Sequence, residues 1–199
     1  MMNKGTLFVM SGPSGTGKGT ICKVLQNDEN VFLSVSSTTR EQRPGEVQGV
    51  TYNYISLNDF QSMISQGQML EWATYDGNFY GTPKTTVQKM LDEGKNVILE
   101  IDVQGAFKVK EIFPETIMIF VLPPSMKELK KRLIERGREG EEHIVARMRV
   151  AMCELELAAR YNYVIINDDL SKCVEEVRDI IKKTEYERNL INSLLNEKY

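Results

Sequence analysis

Histidine is the scarcest reactive residue in this sequence, with one, His143, in 199 residues. A Ser-His-Asp or Cys-His engine would have to use it. It stands beside Glu141 and Glu142 at an expected helix start, a poor place for such a base, so nucleophilic hydrolysis is set aside. Cysteine is nearly as scarce. Cys22, Cys153 and Cys173 are far apart, odd in number and without a C-x-x-C pair, which argues against a disulfide framework and against zinc. They read as small core residues kept reduced. No apolar run approaches about 18 residues, so no membrane span is expected. Positive charge is not in excess either: the net charge of −3 leaves no footprint for duplex nucleic acid. Internal repeats, low-complexity tracts and a signal-peptide layout are missing as well. Met1-Met2-Asn3-Lys4 leads directly into an apolar run, and a cytoplasmic protein is the simplest expectation. What remains is a composition ordinary for a soluble globular chain, with 41% hydrophobic and 27% charged residues. The length suffices for one sizeable core with small inserted lobes.

Against that plain background one stretch stands out: Gly12-Pro13-Ser14-Gly15-Thr16-Gly17-Lys18-Gly19-Thr20. Leu7-Phe8-Val9-Met10 precedes it as a buried-strand run, and Ile21, Val24 and Leu25 follow with helical spacing. A glycine-rich loop between strand and helix lets backbone N–H groups close around phosphate oxygens, under the positive end of the helix dipole. Lys18 adds a mobile charge for the β- and γ-phosphates. The reading is a nucleoside triphosphate site. The full pattern has Ser or Thr directly after the lysine, and here Gly19 takes that place.

Four apolar runs read as parallel strands: Leu7–Met10, Val97–Ile101, Ile117–Leu122 and Val164–Ile166. Helical patterns alternate with them. One carries Val87, Met90 and Leu91 and closes at Gly94; another runs from Ile144 to Leu155; the last starts after Asp168-Asp169. This alternation predicts an α/β fold with a parallel sheet covered on both faces. Residues 36–83 break the rhythm. Tyr52–Ile55 reads as a strand, Phe60, Met63 and Ile64 as a short helix, and Met69–Tyr75, Asp76-Gly77-Asn78 and Phe79–Gly81 as a hairpin. A small, mainly antiparallel inserted lobe fits. Residues 127–149 are a second departure, crowded with charge, with Gly137 and Gly140 as hinge candidates.

Several residues carry candidate chemistry. Arg40 and Arg43 lie on a turn-rich segment and suit one phosphate gripped by two planar forks, the alternative being a solvated loop. Glu71 sits in the apolar run Met69-Leu70-Glu71-Trp72-Ala73. By alternation it shares a face with Met69, Ala73 and Tyr75, so exposure is not its obvious fate. A carboxylate accepts both N1–H and the N2 amino group of guanine, whereas adenine presents an acceptor at N1. The other reading is an edge-strand glutamate. Glu100 and Asp102 end a strand on the side where α/β sheets bind ligands, Asp102 as a holder of water on Mg²⁺ and Glu100 near the phosphate acceptor. Arg132, Arg136 and Arg147 belong to a cationic cluster suited to closing over a transferring phosphoryl group, or to a merely solvated face.

Taken together the chain resembles the guanylate kinases, small P-loop nucleoside monophosphate kinases, over nearly its full length. The marks are Gly12–Thr20, Ser36–Arg40 with Arg43, Gly45-Glu46, Tyr52-Asn53, Glu71-Trp72-Ala73, Tyr80-Gly81, Asp102-Val103-Gln104-Gly105, Arg136-Gly137 and Asn167-Asp168-Asp169. The resemblance implies Mg²⁺-dependent transfer of the ATP γ-phosphoryl group to GMP, with dGMP as a further acceptor. It implies a P-loop core with a five-stranded parallel sheet (1–35, 84–126 and 150–199), a mixed α/β GMP-binding lobe (36–83) and a helical lid (127–149). Gly12 through Thr20 would hold ATP, with Asn167 near the adenine. Ser36, Glu71, Thr82 and Asp102 would read guanine, with Glu100 also on the GMP side, and Arg40, Arg43, Tyr52 and Tyr80 would hold the GMP phosphate. Lys18, Arg40, Arg132, Arg136 and Arg147 would be catalytic through charge. ATP and GMP are the expected partners, in a monomer or a homo-oligomer. Rival readings are a kinase for another monophosphate such as AMP, a guanylate-kinase-like scaffold module, and a GTP-hydrolysing regulator, for which no Asn-Lys-x-Asp sequence is present.

Overall fold

Uninterrupted apolar runs become the central strands because a strand buried on both faces has no polar side to show. The computed structural model describes residues 4–135 and 141–195. In chain order it contains β1 (Leu7–Ser11), α1 (Lys18–Leu25), β2 (Val31–Leu33), β3 (Ser37–Thr38), β4 (Asn53–Tyr54), α2 (Leu57–Ser65), β5 (Met69–Tyr75), β6 (Asn78–Pro83) and α3 (Lys84–Asp92). There follow β7 (Asn96–Glu100), α4 (Val103–Ile112), β8 (Ile117–Leu122), α5 (Met126–Glu135), α6 (Glu141–Glu156), a 3-10 turn at Ala158–Arg160, β9 (Tyr163–Ile166) and α7 (Leu170–Leu195).

Five strands form a parallel sheet in the order β2-β7-β1-β8-β9. The period-two alternation of β1 splits the core. Leu7 and Val9 point to one face, where Val87 and Leu91 of α3 and Val103 and Val109 of α4 cover them. Phe8 and Met10 point to the other, against Ile21 and Leu25 of α1 and Val174, Val177 and Ile181 of α7. Cys22 and Cys173 belong to this second core, but Cys153 is exposed, so the expectation that all three cysteines are core residues fails for that one. Arg178 of α7 clamps Asp28, just after α1, through two hydrogen bonds of 2.8 Å.

The inserted lobe is a mixed sheet in the order β4-β3-β6-β5, with β3 and β4 parallel and the other pairs antiparallel. Asp76 and Gly77, at φ +49° and +73°, make the two-residue turn of its hairpin. Register slips between Met69 and Glu71, where Leu70 bulges out of the ladder. Strict alternation therefore breaks: Leu70 and Glu71 are both buried, whereas Met69 is half-buried and Tyr75 exposed. Helices α5 and α6 share a small core of Leu129, Leu133, Ala151 and Met148. Helix α6 runs without a break through residues 149 and 150. Among the described residues no helix is long and apolar enough to cross a membrane.

Candidate active site

The carboxyl end of β1 opens directly into the phosphate loop. Gly17 is the cap residue of α1 and has a left-handed backbone, φ +91°. A Cβ there would stand 2.3 Å from Asn167 Nδ2, so only glycine fits. That amide is buried (7% exposed) and donates to the Thr16 carbonyl at 2.7 Å. The resemblance implies a place near the adenine for Asn167; its side chain also ties β9 to the loop at Thr16. Lys18 Nζ donates to the carbonyls of Gly12 (2.5 Å) and Pro13 (3.0 Å). Residue 19 is glycine beside a carboxylate: a Cβ would crowd Glu100 Oε2 at 3.2 Å and Oε1 at 3.3 Å.

Two arginines of the charged segment lie beside this loop. Arg132 of α5 is aligned by Glu128 Oε1 (3.0 Å) and donates to the Asn167 carbonyl at 3.1 Å. Arg147 of α6 donates to Ser14 Oγ at 3.4 Å. Gly15, Gly17, Thr20, Arg132, Asn167 and Asp168 line a cleft of about 430 Å³. A larger groove, about 710 Å³, lies away from these residues between β9 and α7. Arg136, expected beside Arg132, lies outside the described residues, as do Gly137 and Gly140.

On the lobe, β5 and β6 bring Glu71 opposite Thr82, whose hydroxyl donates to Glu71 Oε1 at 2.7 Å. Glu71 is 7% exposed. Burial pushes its carboxyl above the usual range, and the negative charge of Asp102 adds to this against the Thr82 hydrogen bond. Asp102 caps α4, accepting the Gly105 N–H at 2.7 Å. Ser36 accepts the Asn53 N–H on its carbonyl at 2.8 Å, at the head of β3.

The residues expected to hold the GMP phosphate are organised around Glu46, to which the sequence reading had assigned no role. Glu46 accepts two hydrogen bonds from Arg40 Nη2 (2.8 and 2.9 Å), one from the Arg43 N–H (2.9 Å) and one from the Tyr54 hydroxyl (2.8 Å). Partial burial opposes its charge, but these donors hold the carboxyl down to about 2. Arg40 also lies 5.7 Å from the Tyr52 ring centre and 5.8 Å from that of Tyr54, and Tyr52 meets Tyr80 edge to face at 5.9 Å. Burial, then the charge of Glu100, raises the Tyr52 hydroxyl pKa. The Arg43 side chain is exposed. The sequence signal for Glu46 was available: an acid three residues after Arg43 and six after Arg40, beside two tyrosines.

A glycine-rich loop at the carboxyl end of a parallel sheet, a second lobe with a buried carboxylate and an arginine–tyrosine cluster, and arginines beside the loop are the arrangement of a P-loop nucleoside monophosphate kinase. The guanylate kinase family model matches residues 4–184. The guanylate kinase of Clostridium tetani is 52% identical over 180 residues, covering 90% of this chain and 86% of the relative. That of Caldanaerobacter subterraneus subsp. tengcongensis is 51% identical over 189 residues, covering 94% and 92%. The crystal structure of guanylate kinase from Anaplasma phagocytophilum superposes with a TM-score of 0.76 at 33% identity, covering 92% of this chain and 87% of that one. The chain belongs to the guanylate kinase family. Its members phosphorylate GMP from ATP, and that is this chain's reaction.

Proposed function

We propose that the chain carries ATP on Gly12–Thr20 and GMP on the lobe of residues 36–83, and transfers the γ-phosphoryl group between them beneath the lid, residues 127–149. The observation that carries this reading is the buried Glu71 carboxylate, fixed by Thr82. Its remaining oxygen capacity suits the paired N1–H and N2 donors of guanine; Asp102 lies near it, and Ser36 and Thr82 complete the guanine contacts. Arg40, Arg43, Tyr52 and Tyr80 hold the GMP phosphate, with Arg40 aimed by Glu46. Lys18, Arg132, Arg136 and Arg147 stabilise charge on the transferring group.

No protein nucleophile is required. The attacking group is a phosphate oxygen of GMP, anionic at neutral pH, so positioning and charge stabilisation suffice without a covalent intermediate. The bond formed joins that oxygen to the γ-phosphorus, and the bond broken frees ADP. Asp102 and Glu100 supply hard carboxylate oxygens at the end of β7. Two such groups suit Mg²⁺ held chiefly by substrate phosphates and water, with Asp102 acting through water. Held there, Mg²⁺ would supply charge neutralisation for the β- and γ-phosphates. None of the contacts assigned above goes to the ribose 2′-OH, and we extend the reading to dGMP as a further acceptor.

A coupled ADP-release assay with ATP and a panel of GMP, dGMP, AMP, CMP and UMP tests the reading. Turnover is expected with GMP and dGMP. Equal turnover of AMP would overturn the role given to Glu71.

A further inference from the structure

Helix α4 faces the guanine-reading carboxylate with a residue that has no side chain. Gly105 is the third residue of α4. A Cβ built on it would stand 3.0 Å from Glu71 Oε2, 3.4 Å from Glu71 Cδ and 3.3 Å from Asp102 Oδ1. Contacts that close are tighter than nine in ten made by real Cβ atoms, so Glu71 would have to yield by a few tenths of an ångström. It has little freedom to do so. Its other oxygen is held by Thr82 at 2.7 Å, and the side chain is 7% exposed. The strand as a whole is fastened to α4: Lys108 Nζ donates to the Trp72 carbonyl at 2.8 Å and lies 5.8 Å from the Trp72 ring centre.

Backbone conformation does not ask for glycine here. Gly105 is not among the positive-φ glycines, and in the first turn of a helix alanine is the better helix former. The local fold alone would favour alanine at this position, and the space taken by Glu71 opposes it. We infer that Gly105 is a specificity-determining residue, whose missing Cβ provides the room in which the Glu71 carboxylate lies along the N1–H and N2 edge of the base. This rests on the reading of Glu71 given above.

The test is Gly105→Ala, with Glu71→Gln and Glu71→Ala measured in parallel. Each is assayed with GMP and with IMP, which lacks the N2 amino group, and each is melted. For Gly105→Ala we expect an unchanged or lowered Tm, because the contact with Glu71 offsets the better helix former, and an unchanged KM for ATP. The KM for GMP should rise about tenfold, and the GMP:IMP preference in kcat/KM should fall by about fivefold or more, because a small misplacement of one acceptor weakens both donors it serves. In a Glu71→Ala background the same Gly105→Ala change should leave GMP kinetics alone and raise Tm, since no carboxylate remains to be displaced. Unchanged GMP KM and GMP:IMP preference in Gly105→Ala would overturn the inference. So would a Gly105→Ala defect that persists undiminished without Glu71, or failure of the double variant to fold. If Gly105→Ala alone fails to fold while the double variant folds, the clash with Glu71 is supported. Should Glu71→Gln leave the GMP:IMP preference intact, the reading of Glu71 itself falls. If Glu71→Gln abolishes the preference and Gly105→Ala does not touch it, only the role of Gly105 falls.

Discussion

Glu71 and Glu46 are two carboxylates of one lobe whose surroundings push them in opposite directions. Burial raises the Glu71 carboxyl, so the folded chain holds that proton more tightly than the unfolded chain does. Its contribution to stability is therefore most favourable at acid pH and is lost as pH rises through the raised folded value. Glu71→Gln, which keeps the shape and can still accept from Thr82, is expected to melt higher than the parent at mildly alkaline pH. It should nevertheless lose about a hundredfold or more in kcat/KM for GMP, because an amide donor then faces a guanine donor. Calorimetry paired with GMP kinetics checks this, and a lower Tm with intact GMP turnover would refute it. Glu46 behaves in the reverse sense. Its donors hold it down to about 2, so its stabilisation is present above the ordinary value of 4.5 and fades as pH falls toward about 2. The Tm difference between parent and Glu46→Gln should be constant near neutrality and vanish in strong acid. The same variant should lose about tenfold in kcat/KM for GMP, since Arg40 loses its aim.

The phosphate loop, as an element, is shaped from below as much as by its own glycines. Asn167, at the end of β9, holds the Thr16 carbonyl, and Gly17 leaves the gap through which that amide passes. Asn167→Ala would strand a buried carbonyl at a cost of about 1–3 kcal/mol and raise the KM for ATP, with little effect on GMP. Thermal melts and separate titrations of the two substrates check it. The resemblance put Asn167 on the ATP side, but its hold on the Thr16 carbonyl was not legible in the sequence, because a side chain reaching back across 151 positions leaves no local pattern. What was legible had a strong period. The runs at β1, β7, β8 and β9 and the hairpin of β5 and β6 came out within a residue or two of their bounds. Strand β2 escaped because its apolar run, Val31-Phe32-Leu33, is only three residues long. Helix α4 escaped because Gly105 interrupts its apolar face for a reason that lies on another strand. The bulge at Leu70 broke the alternation on which the facing of Glu71 had been argued, yet Glu71 is buried all the same.

At the scale of the whole molecule, three parts converge on the carboxyl end of the parallel sheet, and each is tied to the core by a few named contacts. The lobe is fastened through Lys108 and Trp72, and the charged segment meets the loop through Arg147 and its neighbour Asn167 through Arg132. These two arginines are not equivalent. Arg132 is aligned by Glu128 and donates to the Asn167 carbonyl, so its loss disturbs the loop as well as the charge. Arg147, half-buried on α6, meets the loop itself, through a hydrogen bond of 3.4 Å to the exposed Ser14. Its worth should appear in the transition state. Arg147→Ala is expected to lower kcat by about a hundredfold while leaving both KM values within about threefold, the signature of charge stabilisation felt only as the phosphoryl group transfers. Tm should move by no more than about 2 °C, as for a surface change away from the core. Arg147→Lys should recover only part of kcat, because an ammonium keeps the charge but not the planar fork that matches phosphoryl oxygens. Steady-state kinetics with each substrate varied in turn decides the matter. A rise in KM with kcat unchanged would make Arg147 a ground-state binder and move the catalytic charge to Lys18 and Arg132.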